Sequence, residues 1–179
     1  MHLTVCTKGI FWVRRWNMNF KTRQVIFVPE IKSSNPQEYF ILGSVEVDIK
    51  YLGENFMKLT HRSCVNKGSE YYVGLTLALP ATCNDFISAF KQRCFVSLSL
   101  IWYLLCQQPH GETGFLFIDG RANVFVVSVD DSIFSIGASW SQGMPGCKSG
   151  WSIGAHPFIS LRPRTREWFS GSQIIVHVI

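Results

Sequence analysis

Two stretches of the chain alternate apolar and polar residues with a period of two, the spacing of a strand with one buried face. In the first, Val45, Val47, Ile49 and Tyr51 alternate with Ser44, Glu46, Asp48 and Lys50, and Gly53-Glu54-Asn55 ends the run. It predicts a half-buried antiparallel strand, apolar side inward. In the second, Tyr71, Val73, Leu75, Leu77 and Leu79 alternate with Tyr72, Gly74, Thr76 and Ala78, between a Lys67-Gly68 turn and Pro80. Val25–Val28 reads as a short strand stopped by Pro29. Phe115–Ile118 and Val124–Val129 flank Asp119-Gly120, a two-residue hairpin signal. Asp130-Asp131-Ser132 turns again toward Ile133–Ile136, and a Gly-, Ser- and Pro-rich loop at 141–150 precedes strands near 151–154, 157–161 and 172–179. Short strands at this density, separated by turns, predict an all-β chain folded as an antiparallel jelly-roll-like β-sandwich.

One zone breaks the pattern. Asn84 or Asp85 can cap a helix, and Phe86, Ile87 and Phe90 follow at helical spacing. The expectation is therefore a sandwich with room for one short helix in 84–106. The apolar run Phe95–Cys106 is twelve residues long. A membrane-crossing helix needs about 20, so the run is expected to be a buried helix or strand, with no membrane partner.

Composition agrees with a packed domain: 47% of residues are hydrophobic and 16% charged, enough apolar material to offset the ordering entropy. Charge adds one feature. Lys8, Arg14, Arg15, Lys21 and Arg23 stand in residues 1–29 without an acid, while the other twelve cations are balanced by twelve acids. The formal net charge of +5 thus resides at the N-terminus. The chain divides into a basic segment, 1–29, and a single sandwich domain, 30–179. Arg14, Arg15, Lys21 and Arg23 interleave with Phe11, Trp12, Trp16 and Phe20. Cations beside aromatics suit single-stranded nucleic acid, whose phosphates need charge and whose bases stack. A solvated terminus and aromatics packed on the body are the plain alternative.

Catalytic patterns are sparse. His61 and Cys64 form a close pair without a second pair at zinc-ligand spacing. No Gly-x-Ser-x-Gly elbow occurs, and no cysteine has an active-site context. His2-Leu3-Thr4 and His61-Arg62-Ser63 fit the short H-x-[ST] pattern of phosphoesterases that use two histidines as acid and base. Asp119 and Asp130-Asp131 fit turns better than a calcium site. Arg162, Arg164 and Arg166 stand two apart, as a basic ridge or an ordinary loop rim. His177 falls in the last strand, as a packed or edge residue. The six cysteines, at 6, 64, 83, 94, 106 and 147, lack a Cys-x-x-Cys and a preceding signal peptide, and are expected to be reduced and mostly buried in a cytosolic setting. The expectation is a non-enzyme with no cofactor and no metal.

Trp140, then Pro145-Gly146-Cys147-Lys148, Phe158, Trp168 and Ile174-Ile175-Val176 resemble the end of a coat-protein jelly roll in the picorna-like plant viruses of the comovirus and nepovirus group. Gly43–Ile49 resembles an early strand of such a domain, and Tyr72–Leu79 the strand after it. The likeness spans about half the chain and lapses at 84–113. It implies a structural capsid subunit that associates with copies of itself into a shell around single-stranded RNA. The basic N-terminus would face the nucleic acid, and the protein would be found in the virion, and in the host cytoplasm during assembly. The competing readings are a viral accessory or movement-type protein that binds single-stranded nucleic acid, and a small hydrolase or phosphoesterase.

Overall fold

The segment Asn123-Val-Phe-Val-Val-Ser-Val129 is apolar at successive positions, a pattern suited to a strand covered on both faces. The computed structural model, which describes residues 20–31, 35–61, 70–143, 145, 147–157, 167–168 and 170–178, makes this segment the middle of the molecule. Its elements are β1 (Phe20–Val28), β2 (Ile49–Leu52), α1 (Glu54–Thr60), β3 (Glu70–Leu77), β4 (Ala81–Thr82), α2 (Cys83–Phe90), α3 (Leu98–Cys106), β5 (Asn123–Val129), β6 (Ser132–Ser141), β7 (Gly150–Pro157), β8 (Glu167–Trp168) and β9 (Gln173–Val178). Seven strands form one sheet in the order β1-β3-β9-β5-β6-β7-β2, and β4 pairs with β8 in a small second one. β9 runs parallel to β5, and β2 parallel to β7; the other neighbours are antiparallel.

The chain is mostly β, as expected, but the described sheet is mixed rather than antiparallel, and helices rather than a second large sheet cover it. The alternation within β5 shows how. Phe125 and Val127 enter a core with Leu98, Ile101, Leu104 and Leu105 of α3, and with Phe56 and Leu59 of α1. Val124 and Val126 enter another with Phe86 of α2, Cys94, Trp168, Ile174 and Val176. Each face of the sheet thus has its own helical layer.

The helices begin where side chains satisfy their first amides. Thr82 caps α2 in a capping box: its hydroxyl accepts from the Asp85 amide at 3.3 Å, while the Asp85 carboxylate accepts from the Thr82 amide at 2.7 Å. Asp85 is therefore the third residue of the helix and not its cap. Ser97 caps α3 by accepting from the Leu100 amide at 3.1 Å. The apolar run 95–106 splits between a bridge from Phe95 to Val126 and this buried helix.

Three expected elements differ. The alternation from Ser44 to Tyr51 gives a strand only at 49–52, and Val45 is 94% exposed. The Ile49 amide turns back to the Val47 carbonyl and the Asp48 amide reaches the Pro109 carbonyl, so the chain bends where a ladder was expected. Residues 54–60 form α1, which the Gly53-Glu54-Asn55 turn signal concealed. Phe115–Ile118 does not pair with β5 across Asp119-Gly120; β5 pairs with β6 across Asp130-Asp131, where Asp130 takes φ +51°.

Segment 107–122 is instead irregular chain that buries Gln108 and 115–117, so the backbone groups held there need partners. Three buried carboxamides supply them. Gln108 accepts from the Leu116 amide at 2.7 Å and donates to the Leu116 and Glu112 carbonyls. Asn123 accepts from the Phe117 amide at 2.8 Å and donates to the Phe117 and Ala138 carbonyls. Gln173 donates to the Phe115 carbonyl at 3.2 Å. Gly74 makes room for Gln173: an added Cβ would come within 2.3 Å of its amide nitrogen. Replacing Asn123 with Leu removes three hydrogen bonds to buried backbone groups of Phe117 and Ala138, and is expected to cost about 3 kcal/mol of stability, read as a lower urea midpoint.

Candidate functional site

β1 is the outermost strand at one end of the sheet. It pairs inward with β3 from Phe20↔Leu77 to Val28↔Glu70, with a bulge between Thr22 and Gln24. Pro29 follows, lacking the amide to continue a ladder. Among the described residues nothing pairs with its outer side, so alternate amides and carbonyls face outward there. The bulge and the proline leave Gln24–Val28 as the regular part of this edge.

That part is apolar. Val25 is 53% exposed and Phe27 is 50% exposed, next to Tyr71 of β3, also 50% exposed. The Phe27 and Tyr71 rings lie 5.1 Å apart between centroids. All three belong to the sheet face that carries α2, beyond the part that α2 covers: Val25 pairs with Val73 and Phe27 with Tyr71. On the opposite face, Val28 is buried and Ile26 packs against the α3-side core. Of the expected nucleic-acid residues, Lys21 sits opposite Thr76 in β1 and Arg23 falls at the bulge, whereas Arg14 and Arg15 lie outside the described residues.

Two imidazoles have carboxylate partners. His110 Nδ1 lies 2.9 Å from Asp48 Oδ2, both side chains about half exposed, and the His110 amide donates to Glu112 at 2.9 Å. The Asp48 backbone is clamped between the Pro109 carbonyl and the Trp151 amide, which fixes the pair at one end of β7. A carboxylate on Nδ1 orients an imidazole as a base, but the described residues place no hydroxyl or thiol against its other nitrogen. His177 lies 3.8 Å from Glu70 and its ring packs tilted by 57° against Tyr72, as a packed strand residue. Burial, and then its hydrogen bond to Glu70, push the Tyr72 phenol well above its usual range.

The other candidates scatter. Asp119 grips Arg121 at 2.6 Å, the guanidinium stacking 3.8 Å over the Phe117 ring, so the turn is closed by an ion pair. His61 ends α1, while Cys64, His2 and Arg162, Arg164 and Arg166 lie outside the described residues. Among the described residues no three His, Cys, Asp or Glu side chains converge on a metal position, and no helix is long and apolar enough to cross a membrane. Cys94, Cys106 and Cys147 are free thiols: Cys94 buried, Cys106 half-buried, and Cys147 exposed, against expectation, in the loop after β6.

Burial, and then the Glu46 carboxylate, push the Cys106 thiol up to about 11. At pH 7.5 its thiolate fraction is roughly 1 in 3000, too small for a nucleophile. Alkylation by iodoacetamide at that pH should label Cys147 while sparing Cys94 and Cys106, as read by peptide mass spectrometry. Rapid labelling of Cys106 would show a thiol activated for chemistry.

No family model, curated protein or solved structure matches this chain.

Proposed function

We propose that the protein is a structural subunit that associates with copies of itself, and in the most specific form of this reading a viral coat protein that assembles around single-stranded RNA. The observation that supports it is the edge of β1, unpaired among the described residues, with Val25, Phe27 and Tyr71 exposed beside it. Soluble proteins guard such edges with charge, proline or cover, because an uncovered apolar edge recruits further chains. Among the described residues the guards stand at the ends, the bulge at Thr22/Gln24 and Pro29. A shell subunit requires surface that other copies cover and cations that meet nucleic acid; Lys8, Arg14, Arg15, Lys21 and Arg23 supply the charge. The jelly-roll form implied by the resemblance is not required for this role, which a mixed sheet with an edge unpaired among the described residues serves as well.

A second reading uses the same surface. Lys21 and Arg23 belong to the same strand as Phe27, whose ring lies against Tyr71. Single-stranded RNA binds such combinations by stacking and charge.

The readings separate in solution. A structural subunit should sediment as species larger than the monomer, with shells or shell fragments visible by negative-stain electron microscopy when RNA is added. An accessory binder should stay monomeric. Either way, replacing Lys21 and Arg23 with Ala should reduce the steepness of the salt dependence of RNA affinity, by about 1.4 for two lost phosphate contacts. An unchanged slope would remove both residues from the nucleic-acid surface.

A further inference from the structure

We infer that residues 1–19 dock in a cleft at the β2 end of their own chain, lined by Glu38, Tyr39, Ile41, Ser44, Val45 and Glu46. The inference goes beyond the proposed function and holds whether or not the chain assembles or binds RNA.

The cleft is built into the fold. Phe40 and Val47 are buried in the core on the α1 and α3 side, and Phe40 packs edge-on against Phe56 of α1 and Trp102 of α3. Between these anchors the Ser44 amide bonds the Ile41 carbonyl at 3.2 Å and the Gly43 amide the Ile49 carbonyl at 3.4 Å. Gly43 takes φ +72°, a turn that other residues rarely allow. The loop so held bounds a cleft of about 470 Å³. It also keeps Ile41, Leu42 and Val45 outside, 51%, 57% and 94% exposed. Neighbouring apolar side chains held outward in this way mark a surface that binds something.

Charge selects the occupant. Glu38 and Glu46 are exposed, and among the described residues neither carboxylate has a cation partner. The Glu46 charge also acts on Cys106, the last residue of α3, where that helix presents its negative pole. The cleft thus favours a cationic segment with large apolar side chains. Residues 1–19 have that character: Lys8, Arg14 and Arg15 without an acid, beside Phe11, Trp12 and Trp16. Reach permits the contact. One row of paired residues crosses the sheet from Lys21 through Thr76, Gln173, Asn123, Ala138 and Ile153 to Leu52. Phe20 and Ile49 lie beyond that row on the same side, so β1 begins at the end of the sheet where the cleft loop joins β2. Six strand spacings of about 4.8 Å separate the two edges by roughly 29 Å. Nineteen extended residues span up to about 60 Å.

Two measurements on the full chain test this, with circular dichroism to confirm that the variant folds. A carbodiimide, which joins an amine to a carboxylate in contact with it, should link Lys8 to Glu38 or Glu46 in a product of monomer mass, mapped by peptide mass spectrometry. Trypsin should cut after Arg14 and Arg15 about fivefold faster in Glu38→Lys/Glu46→Lys than in the wild-type chain, because the variant loses two exposed ion pairs. Both substitutions alter exposed side chains and spare the anchors Phe40 and Val47. Lys8 joined only to other carboxylates, a link found only at dimer mass, no link from Lys8, or equal cleavage rates overturns the inference. The self-association reading stands or falls separately, on sedimentation.

Discussion

Gln108, Asn123 and Gln173 hold the centre of this molecule together. Segment 107–122 has no secondary structure, and where it dips into the core at Gln108 and 115–117 it takes backbone amides and carbonyls away from water. The three carboxamides answer them, and the Trp151 indole adds a bond to the Gln108 carbonyl at 3.0 Å. With that segment satisfied, Phe115 and Leu116 can be buried beside the sheet. Asn123 and Gln173 open β5 and β9 and face each other in the parallel register, so the same two residues also start the central pairing of the sheet. The parallel contact of β9 with β5 covers only Asn123↔Gln173 and Val124↔Ile174. Past it, the Val96 amide bonds the Val126 carbonyl at 2.8 Å, and the chain leading into α3 takes up the edge that β9 leaves.

This arrangement makes the two ends of the sheet unequal. At the β2 end, α1 packs on β7, and backbone bonds tie residues 48–53 to Pro109, Trp151 and Ile153. The edge there is short and occupied. At the β1 end a nine-residue strand is held by β3 alone among the described residues. The covering layer formed by α2 and β8 stops short of Val25, Phe27 and Tyr71. The exposed apolar strip follows from where the helical layer ends, and the self-association reading draws on that asymmetry.

The candidate site was half legible in the sequence. Val25–Val28 reads as a strand from its β-branched and aromatic content, and Pro29 marks its end. Nothing in those residues says that the strand is an edge, because a central strand has the same composition. Lys21 and Arg23 read as part of a basic arm, yet they lie in the sheet, since nine residues from Phe20 find a ladder on β3. The pairing of His110 with Asp48, 62 residues apart, had no local signal at all. Only the clamp of Asp48 between Pro109 and Trp151 creates it.

Local chemistry by itself determined β3, β5 to β7 and β9, the Asp130-Asp131 turn, and a helical zone after residue 82, because period-two apolarity, turn residues and caps act over a few neighbours. Tertiary structure decided the rest. Whether a strand lies parallel or antiparallel, and whether the layer over a sheet is helical or another sheet, depends on which distant partners bury the most apolar surface while leaving no polar group unpaired. The Ser44–Tyr51 stretch shows the difference: its alternation is that of a strand, but bonds from Asp48 to Pro109 and Trp151 outweigh the local preference and bend the chain before the ladder can form.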